Sequence, residues 1–245
     1  MNLKNKVALV TGGSRGIGAA IVKRLAKDGA HVAFTYSKSA PAAEKLAQEI
    51  IALGVKAKAY QADSAQMDHL PKLAETVAKD FGGIDILVNN AGVFSTGMLG
   101  EVSFEEYQRI MRVNVDAVFA LTTAVVKKMK SGSRIINISS VLGERACDPG
   151  LSVYAASKFA VTGLTRGWAK DLGAKGILVN AVLPGPIDTE MNPADSEFAD
   201  EQRASVALGR YGKAEEVAGA VCFLAGPEAT FISGATLTVD GGYNA

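Results

Sequence analysis

Apolar positions along the chain follow two periods. Short runs rich in β-branched residues recur between longer stretches of helical spacing. The runs are Val7–Thr11, Val32–Tyr36, Ala57–Ala62, Ile84–Asn89, Ile135–Ser139, Leu178–Leu183 and Thr236–Val239. Helical patterns fall near 17–28, 40–53, 66–81, 103–130, 153–173 and 214–225, so strand and helix alternate throughout. The nearly continuous apolar character of Ile84-Asp85-Ile86-Leu87-Val88 fits a strand covered on both faces, as parallel sheets require. The pattern predicts an α/β fold, a seven-stranded parallel sheet flanked by helices on both faces. No linker, charge block or repeat interrupts it, so residues 1–245 are expected to form a single domain. The one proline cluster, Pro184 to Pro193, opens a stretch at about 188–208 that reads as a long loop beyond a strand's carboxyl end, the usual place for a binding lid.

Composition narrows the function. Lysine and arginine total 26 against 25 acids, a formal charge of +1, which provides no field for a nucleic acid polymer or an anionic membrane. No apolar run approaches the ~20 residues of a membrane-spanning helix, and the first residues lead straight into a strand. The expectation is a cytoplasmic protein. Cys147 and Cys222 are too few for a disulfide framework and read as idle thiols. His31 and His69, the only histidines, leave almost no material for a metal centre, and none is expected.

The first strand runs into Thr11-Gly12-Gly13-Ser14-Arg15-Gly16-Ile17-Gly18 and then an amphipathic helix containing Ile21, Val22 and Leu25. Glycines at such a turn permit unusual backbone angles and close approach of a pyrophosphate, whose charge is favoured by the free amides of the helix start. Strand before and helix after make this a dinucleotide site of Rossmann type, doubly wound. NAD sites carry an acid about 20 residues further on for the ribose hydroxyls. Here that position reads Thr35-Tyr36-Ser37-Lys38, with no carboxylate. Arg15, with Ser37 or Lys38, would instead supply charge and hydrogen bonds to a 2′-phosphate, so the expected cofactor is NADP(H).

Tyr154-Ala155-Ala156-Ser157-Lys158 opens a helical pattern that sets Tyr154 and Lys158 on one face. A nearby ammonium lowers a phenol's pKa from ~10, which would fit Tyr154 for proton exchange with a carbonyl oxygen. The glycine turn, Asn89-Asn90-Ala91-Gly92, Asn114, Ser139-Ser140 and the Tyr-x-x-x-Lys pair occur in this order. Together they make the sequence resemble the short-chain dehydrogenase/reductase family from Lys6 to Gly242, including its 3-oxoacyl-carrier-protein reductases and broad carbonyl reductases.

The resemblance implies a cofactor-binding half at about 1–130 and a catalytic and substrate half at about 131–245. In the first, Gly12, Ser14, Arg15, Ile17, Gly18, Tyr36, Ser37, Lys38, Asp63 and Ser64 would hold the adenosine end, Asp63 as the adenine contact. Asn90, Ala91, Gly92, Val113 and Ile138 would line the groove, and Pro184, Gly185, Ile187 and Thr189 the nicotinamide side. Asn114, Ser140, Tyr154 and Lys158 would form the catalytic set: Ser140 orients the carbonyl, Tyr154 gives the proton, Lys158 tunes it and binds the nicotinamide ribose, and Asn114 holds a relay water. Ser139 is the alternative serine. Fourteen residues separate Ser140 from Tyr154, one more than the commonest spacing in similar reductases, which leaves the loop shape open.

Phe94, Ser95, Leu142, Gly143, Glu144, Arg145, Val153, Pro186 and Met191 are candidates for the substrate pocket of a small carbonyl or alcohol. Trp168, Met98, Met111 and Met129 read as core or interface packing. The resemblance further implies a homotetramer, with Val239-Asp240-Gly241-Gly242 at a subunit contact. Outside enzymes, a cofactor-bound regulatory protein that senses a nucleotide remains the other reading, and a structural oligomer a weaker third.

Overall fold

A computed structural model describes residues 2–146 and 148–245; the thiol of Cys147 lies outside the described residues. Strands β1 (Val7–Val10), β2 (His31–Tyr36), β3 (Ala57–Gln61), β4 (Ile86–Asn89), β5 (Arg134–Ile138), β6 (Leu178–Pro184) and β7 (Thr236–Val239) make one sheet in the order β3-β2-β1-β4-β5-β6-β7. Every neighbouring pair is parallel. Helices α1 (Gly16–Lys27), α2 (Ala40–Ile51), α3 (Leu70–Phe81), α4 (Phe104–Met111), α5 (Ala117–Val126), α6 (Ser152–Gly173), α7 (Ala199–Ala204) and α8 (Ala214–Ala225) complete the chain.

Side chains alternate across the sheet as its period of two requires. In β1, Ala8 and Val10 join one core with Ile21 and Leu25 of α1, Leu46 of α2 and Val221 of α8. Leu9, between them, joins the opposite core with Val77 of α3, Leu121 of α5 and Leu172 of α6. A core on each face is the physical reason strands such as β1 and β4 read as nearly unbroken apolar runs. Burying a side chain such as Leu9 contributes roughly 1.5–3 kcal/mol.

Two elements differ from the sequence reading. The pattern at 103–130 is not one regular helix. Ser103 caps α4 by accepting a bond from the Glu106 amide at 3.1 Å, and Glu105 and Glu106 favour the positive helix end. A π-helical turn over Arg112–Asp116 then precedes α5, which stops at Val126. The stretch at 188–208 is also no plain loop, since it contains α7. That helix spans only six residues, too short for periodicity to reveal. Gln202 ties it in place, accepting from Asn192 Nδ2 at 3.0 Å and from the Tyr211 hydroxyl at 2.8 Å.

Strand order reverses between β1 and β4, and open parallel sheets hold ligands outside the carboxyl ends of strands at such a switch. The glycine turn, Asn90, Ser140 and Pro184 all stand at those ends.

Candidate active site

The turn after β1 is fixed by side chains from its neighbours. The Gly12 amide donates to Thr35 Oγ1 at 3.0 Å and the Gly13 amide to the Thr35 carbonyl at 2.8 Å. Asn90 Nδ2 donates to the Thr11 and Gly12 carbonyls at 2.9 and 3.1 Å, while Thr11 Oγ1 accepts from the amides of Asn90 and Ala91. Gly12 and Gly16 have φ of 63° and 52°, which favours glycine. Gly18 is required for a different reason: a Cβ there would overlap the Gly12 carbonyl oxygen and stand 2.6 Å from Asn90 Nδ2. Helix α1 therefore starts hard against the turn. Its first amides lack intrahelical partners, no acid lies in its first turn, and Ser14 and Ile17 flank its start. The cradle suits a pyrophosphate.

Tyr36 is half-buried at the end of β2, followed by exposed Ser37 and Lys38. Asp63 sits beyond β3, its carboxylate accepting from the Ala65 amide at 2.9 Å. Ser64, expected at the adenosine end, lines one narrow cleft with Thr11 and with Ala91 and Val113 of the expected groove. Arg15 holds a partner the sequence did not suggest. Its guanidinium pairs with Glu190 at 2.8 Å, both side chains about two-thirds exposed. Thr189 approaches the same place, since a Cβ on Gly16 would lie 3.5 Å from its methyl. The segment after β6 thus reaches across to the glycine turn. Behind it, Pro184 and Ile187 are buried, Gly185 packs on Asp240, and the Asp188 amide donates to Gly212.

Ser140 follows β5 and caps a short 3-10 turn over Val141–Gly143, its hydroxyl accepting from the Leu142 amide at 3.2 Å. It also hydrogen-bonds the phenol of Tyr154, near the start of α6. Ser139 is spoken for elsewhere: its hydroxyl donates to the Lys158 carbonyl at 3.0 Å and meets Thr162. Geometry favours Ser140 of the two. Phe94 packs edge-on against Tyr154 with ring centroids 4.9 Å apart. Lys158 lies below, buried, with Nζ 5.6 Å from the Tyr154 ring centroid and donating to the Ile138 carbonyl at 3.1 Å.

Electrostatics depart from the expected lowering of the phenol. Burial pushes Tyr154 up to about 12, and the Ser140 hydrogen bond offsets only part of that. Burial also pulls Lys158 down to about 8. Desolvation disfavours both charged forms. Near neutrality Tyr154 accordingly keeps its proton.

Asn114 sits in the π turn, where its side chain acts as a clamp. Nδ2 donates to the Val93 carbonyl and to Ser157 Oγ, both at 3.0 Å, and Oδ1 accepts from the Val93 amide at 2.9 Å. Only one lone pair of Oδ1 is left for a water. Gly92 leaves an opening beside it, for a Cβ there would be 3.4 Å from Asn114 Oδ1 and 3.7 Å from Lys158 Nζ.

Among the pocket candidates, Glu144 turns away, accepting from Thr236 Oγ1 at 2.6 Å and lying 4.0 Å from Arg166. Gly143 has no room for a side chain between Ser139 and Thr162. Met191 and Phe94 remain exposed, and Pro186 is buried.

Sequence reading missed the supports. Asn89 Nδ2 donates to Thr122 and Asn137, and Asn137 Nδ2 to Thr165, all at 2.8–2.9 Å and all buried. This network ties β4 and β5 to α5 and α6. A polar residue inside an otherwise apolar strand, as at Asn137, was the available signal.

Fold and side chains together define an oxidoreductase of the doubly wound α/β class. The chain belongs to the short-chain dehydrogenase/reductase family: a family model described as "Enoyl-(Acyl carrier protein) reductase" matches residues 12–244. A short-chain dehydrogenase from Burkholderia cenocepacia, solved in complex with NADP, is 51% identical with a TM-score of 0.98, each chain covered over 100%. The "Cyclic-di-GMP-binding biofilm dispersal mediator protein" of Escherichia coli is 45% identical over 98% of both chains. A 3-oxoacyl-[acyl-carrier-protein] reductase of Synechocystis is 44% identical, covering 98% of this chain and 97% of its own.

Proposed function

We propose that this chain is an NADP(H)-dependent carbonyl reductase in which Tyr154 protonates the nascent alcohol. The observation that carries the reading is the half-buried phenol of Tyr154 hydrogen-bonded to Ser140 above a buried Lys158. Gly12, Ser14, Ile17 and Gly18 would receive the pyrophosphate, and Arg15 with Ser37 the 2′-phosphate. Asn90, Ala91, Gly92, Val113 and Ile138 would line the cofactor groove, closed by Ile187 and Thr189. When bound, the cofactor supplies the hydride.

The chain's own residues manage the proton. Ser140 and Tyr154 converge on one point where a carbonyl oxygen can accept from both, stabilising the charge that develops there. A phenol raised to about 12 is almost wholly protonated at pH 7, which suits donation and makes it a poor base for alcohol oxidation at that pH. Lys158 is held by Ile138 where it can return positive charge to the phenolate left after transfer. Asn114 ties the Val93 backbone, in the loop after β4, to Ser157 of α6 and has one acceptor site for a relay water.

A homotetramer fits the exposed apolar side chains Phe104 on α4, Phe119 on α5 and Phe159 on α6, and a native mass measurement tests it. Reductase relatives make a β-ketoacyl thioester of a carrier protein the alternative substrate. The biofilm relative instead favours a nucleotide-binding regulatory role. One screen separates these readings: NADPH oxidation against ketones, aldehydes and β-ketoacyl thioesters, with Tyr154→Phe in parallel. Turnover that disappears in the variant while NADPH binding survives is expected. A fully active Tyr154→Phe protein excludes the proton donor, and nucleotide binding without turnover across the screen favours the regulator.

A further inference from the structure

Four segments around the Ser140–Tyr154 cleft are tied to the last residues of the chain. Asp240, just after β7, is the hub: its carboxylate accepts from the amides of Gly242 and Asn244, each at 2.9 Å. Its Cα and Cβ pack so closely on Gly185, beside the proposed nicotinamide wall, that a Cβ on that glycine would lie 2.6 Å from Asp240 Cβ. The Gly241 carbonyl accepts from the Leu208 amide at 3.0 Å, which anchors the returning end of the lid that carries α7. Tyr243 donates to Asp148 at 3.3 Å, in the loop leading to Tyr154. Asn244 Nδ2 donates to the Val141 carbonyl at 3.1 Å, one residue beyond Ser140.

The glycines of this turn are committed to it. Gly241 and Gly242 have φ of 62° and 84°, and Cβ atoms on them would lie 2.9 Å from Val206 and 2.8 Å from Ala207. Both the backbone angle and the space exclude larger residues. The tail therefore lies against the lid root in one defined path, not as a frayed end.

We infer that the C-terminal segment Asp240–Asn244 is a positioning element of the substrate pocket, with Asn244 setting the Ser140 turn and Gly241 setting the lid against it. The inference rests on the reading of Ser140 and Tyr154 as the carbonyl-binding pair. The Val141 carbonyl also accepts from the amides of Glu144 and Arg145, at 3.1 and 3.2 Å. Loss of the Asn244 donor thus leaves the turn hydrogen-bonded but free to shift, which separates placement from folding. A shift of a fraction of an ångström in Ser140 changes how a prochiral ketone is presented more than whether the cofactor binds.

The test compares Asn244→Asp, which keeps the shape and removes the donor, with a chain ending at Gly242, using NADPH and a prochiral aryl ketone. Native mass, melting temperature, NADPH affinity by fluorescence, kcat, KM and the product enantiomer ratio are measured. Asn244→Asp is expected to lower kcat by about 3- to 10-fold and erode the enantiomer ratio, at unchanged NADPH affinity and native mass. The truncated chain should go further in the same direction and raise the ketone KM. A lowered melting temperature with kcat and enantiomer ratio unchanged in both proteins would overturn the inference, for the tail would then only brace the fold. Ser140→Ala, run alongside, keeps the two readings apart. Full turnover in that variant defeats the catalytic assignment itself, whereas its inactivity beside unaltered tail variants defeats the tail's role alone.

Discussion

The pairing of Arg15 with Glu190 gives the 2′-phosphate assignment a quantitative consequence. In this structure the guanidinium meets a carboxylate of the segment after β6 at 2.8 Å, with both side chains about two-thirds exposed. An exposed pair of this kind is worth about 0.2–1 kcal/mol, because water screens it and two long side chains must be ordered. A phosphate with several charge-assisted bonds to the same arginine is worth about 1.5–3 kcal/mol and therefore wins the competition. Two opposite effects follow. Arg15→Ala should raise the KM for NADPH about 10- to 100-fold and leave that for NADH nearly unchanged. Glu190→Gln removes the competitor and should tighten NADPH binding about 1.4- to 5-fold, with no gain for NADH. The second effect should shrink at high salt, since exposed charges are screened. Steady-state KM values for both cofactors, taken at low and high ionic strength, provide the measurement. Equal losses for NADPH and NADH in Arg15→Ala would remove the phosphate role, and weaker NADPH binding in Glu190→Gln would show that the carboxylate assists the site.

Three further outcomes are expected. Gly18→Ala should abolish nucleotide binding by fluorescence titration, because its Cβ would overlap the Gly12 carbonyl; near-normal affinity would mean the turn can relax. Asn137→Leu should lower stability by about 2–4 kcal/mol, a Tm drop of about 5–10 °C, because it strands the buried partners Asn89 and Thr165; a change below about 1 °C would contradict the network's role. Urea unfolding should show stability rising between about pH 8 and 10.5, because the folded state sheds the Lys158 proton before the unfolded chain does, while below that window both carry the charge and burial costs most. Between 10 and about 12 the sign reverses for Tyr154, whose unfolded phenol ionises first. Lys158→Met should erase the rise and be the more stable protein at pH 7; an identical pH profile would refute the desolvation account.

The sheet was readable because its central strands are covered on both faces and keep largely apolar runs, as Ile86–Val88 does. The glycine turn was readable because steric demands leave few alternatives at Gly12 and Gly18. What escaped were features decided by tertiary contacts. Nothing local in Ala199–Ala204 separates a single short helix from a loop; Gln202 holds it by bonds to Asn192 and Tyr211. The π turn arises where Asn114 reaches the backbone of Val93, a partner 21 residues away. The electrostatics of Tyr154 were not legible because spacing on a helix shows that Lys158 is near, and not how far burial opposes the charge of either group. Glu190 was invisible as a partner of Arg15 across 175 residues of sequence.

These departures from local rules are not scattered. A buried lysine, an asparagine inside a π turn, and serine and threonine hydroxyls at the buried face of α6 each cost stability or helix regularity, and all lie within the layer that supports Tyr154. Chains tolerate such violations where function needs them and satisfy the local rules elsewhere. Here the polar groups are satisfied almost completely, so their cost is desolvation more than lost hydrogen bonds. That distinction has a mechanistic meaning. Unpaired groups would relax and let the layer move, whereas Asn114 bonds Ser157 and Ser139 meets Thr162, which fixes α6 at two points. Lys158 has no carboxylate partner among the described residues, and its ammonium lies beside the ring of Tyr154. The raised phenol and the lowered ammonium describe the protein before proton transfer. In the mechanism proposed above, the charge of Lys158 would offset the phenolate once the proton has left.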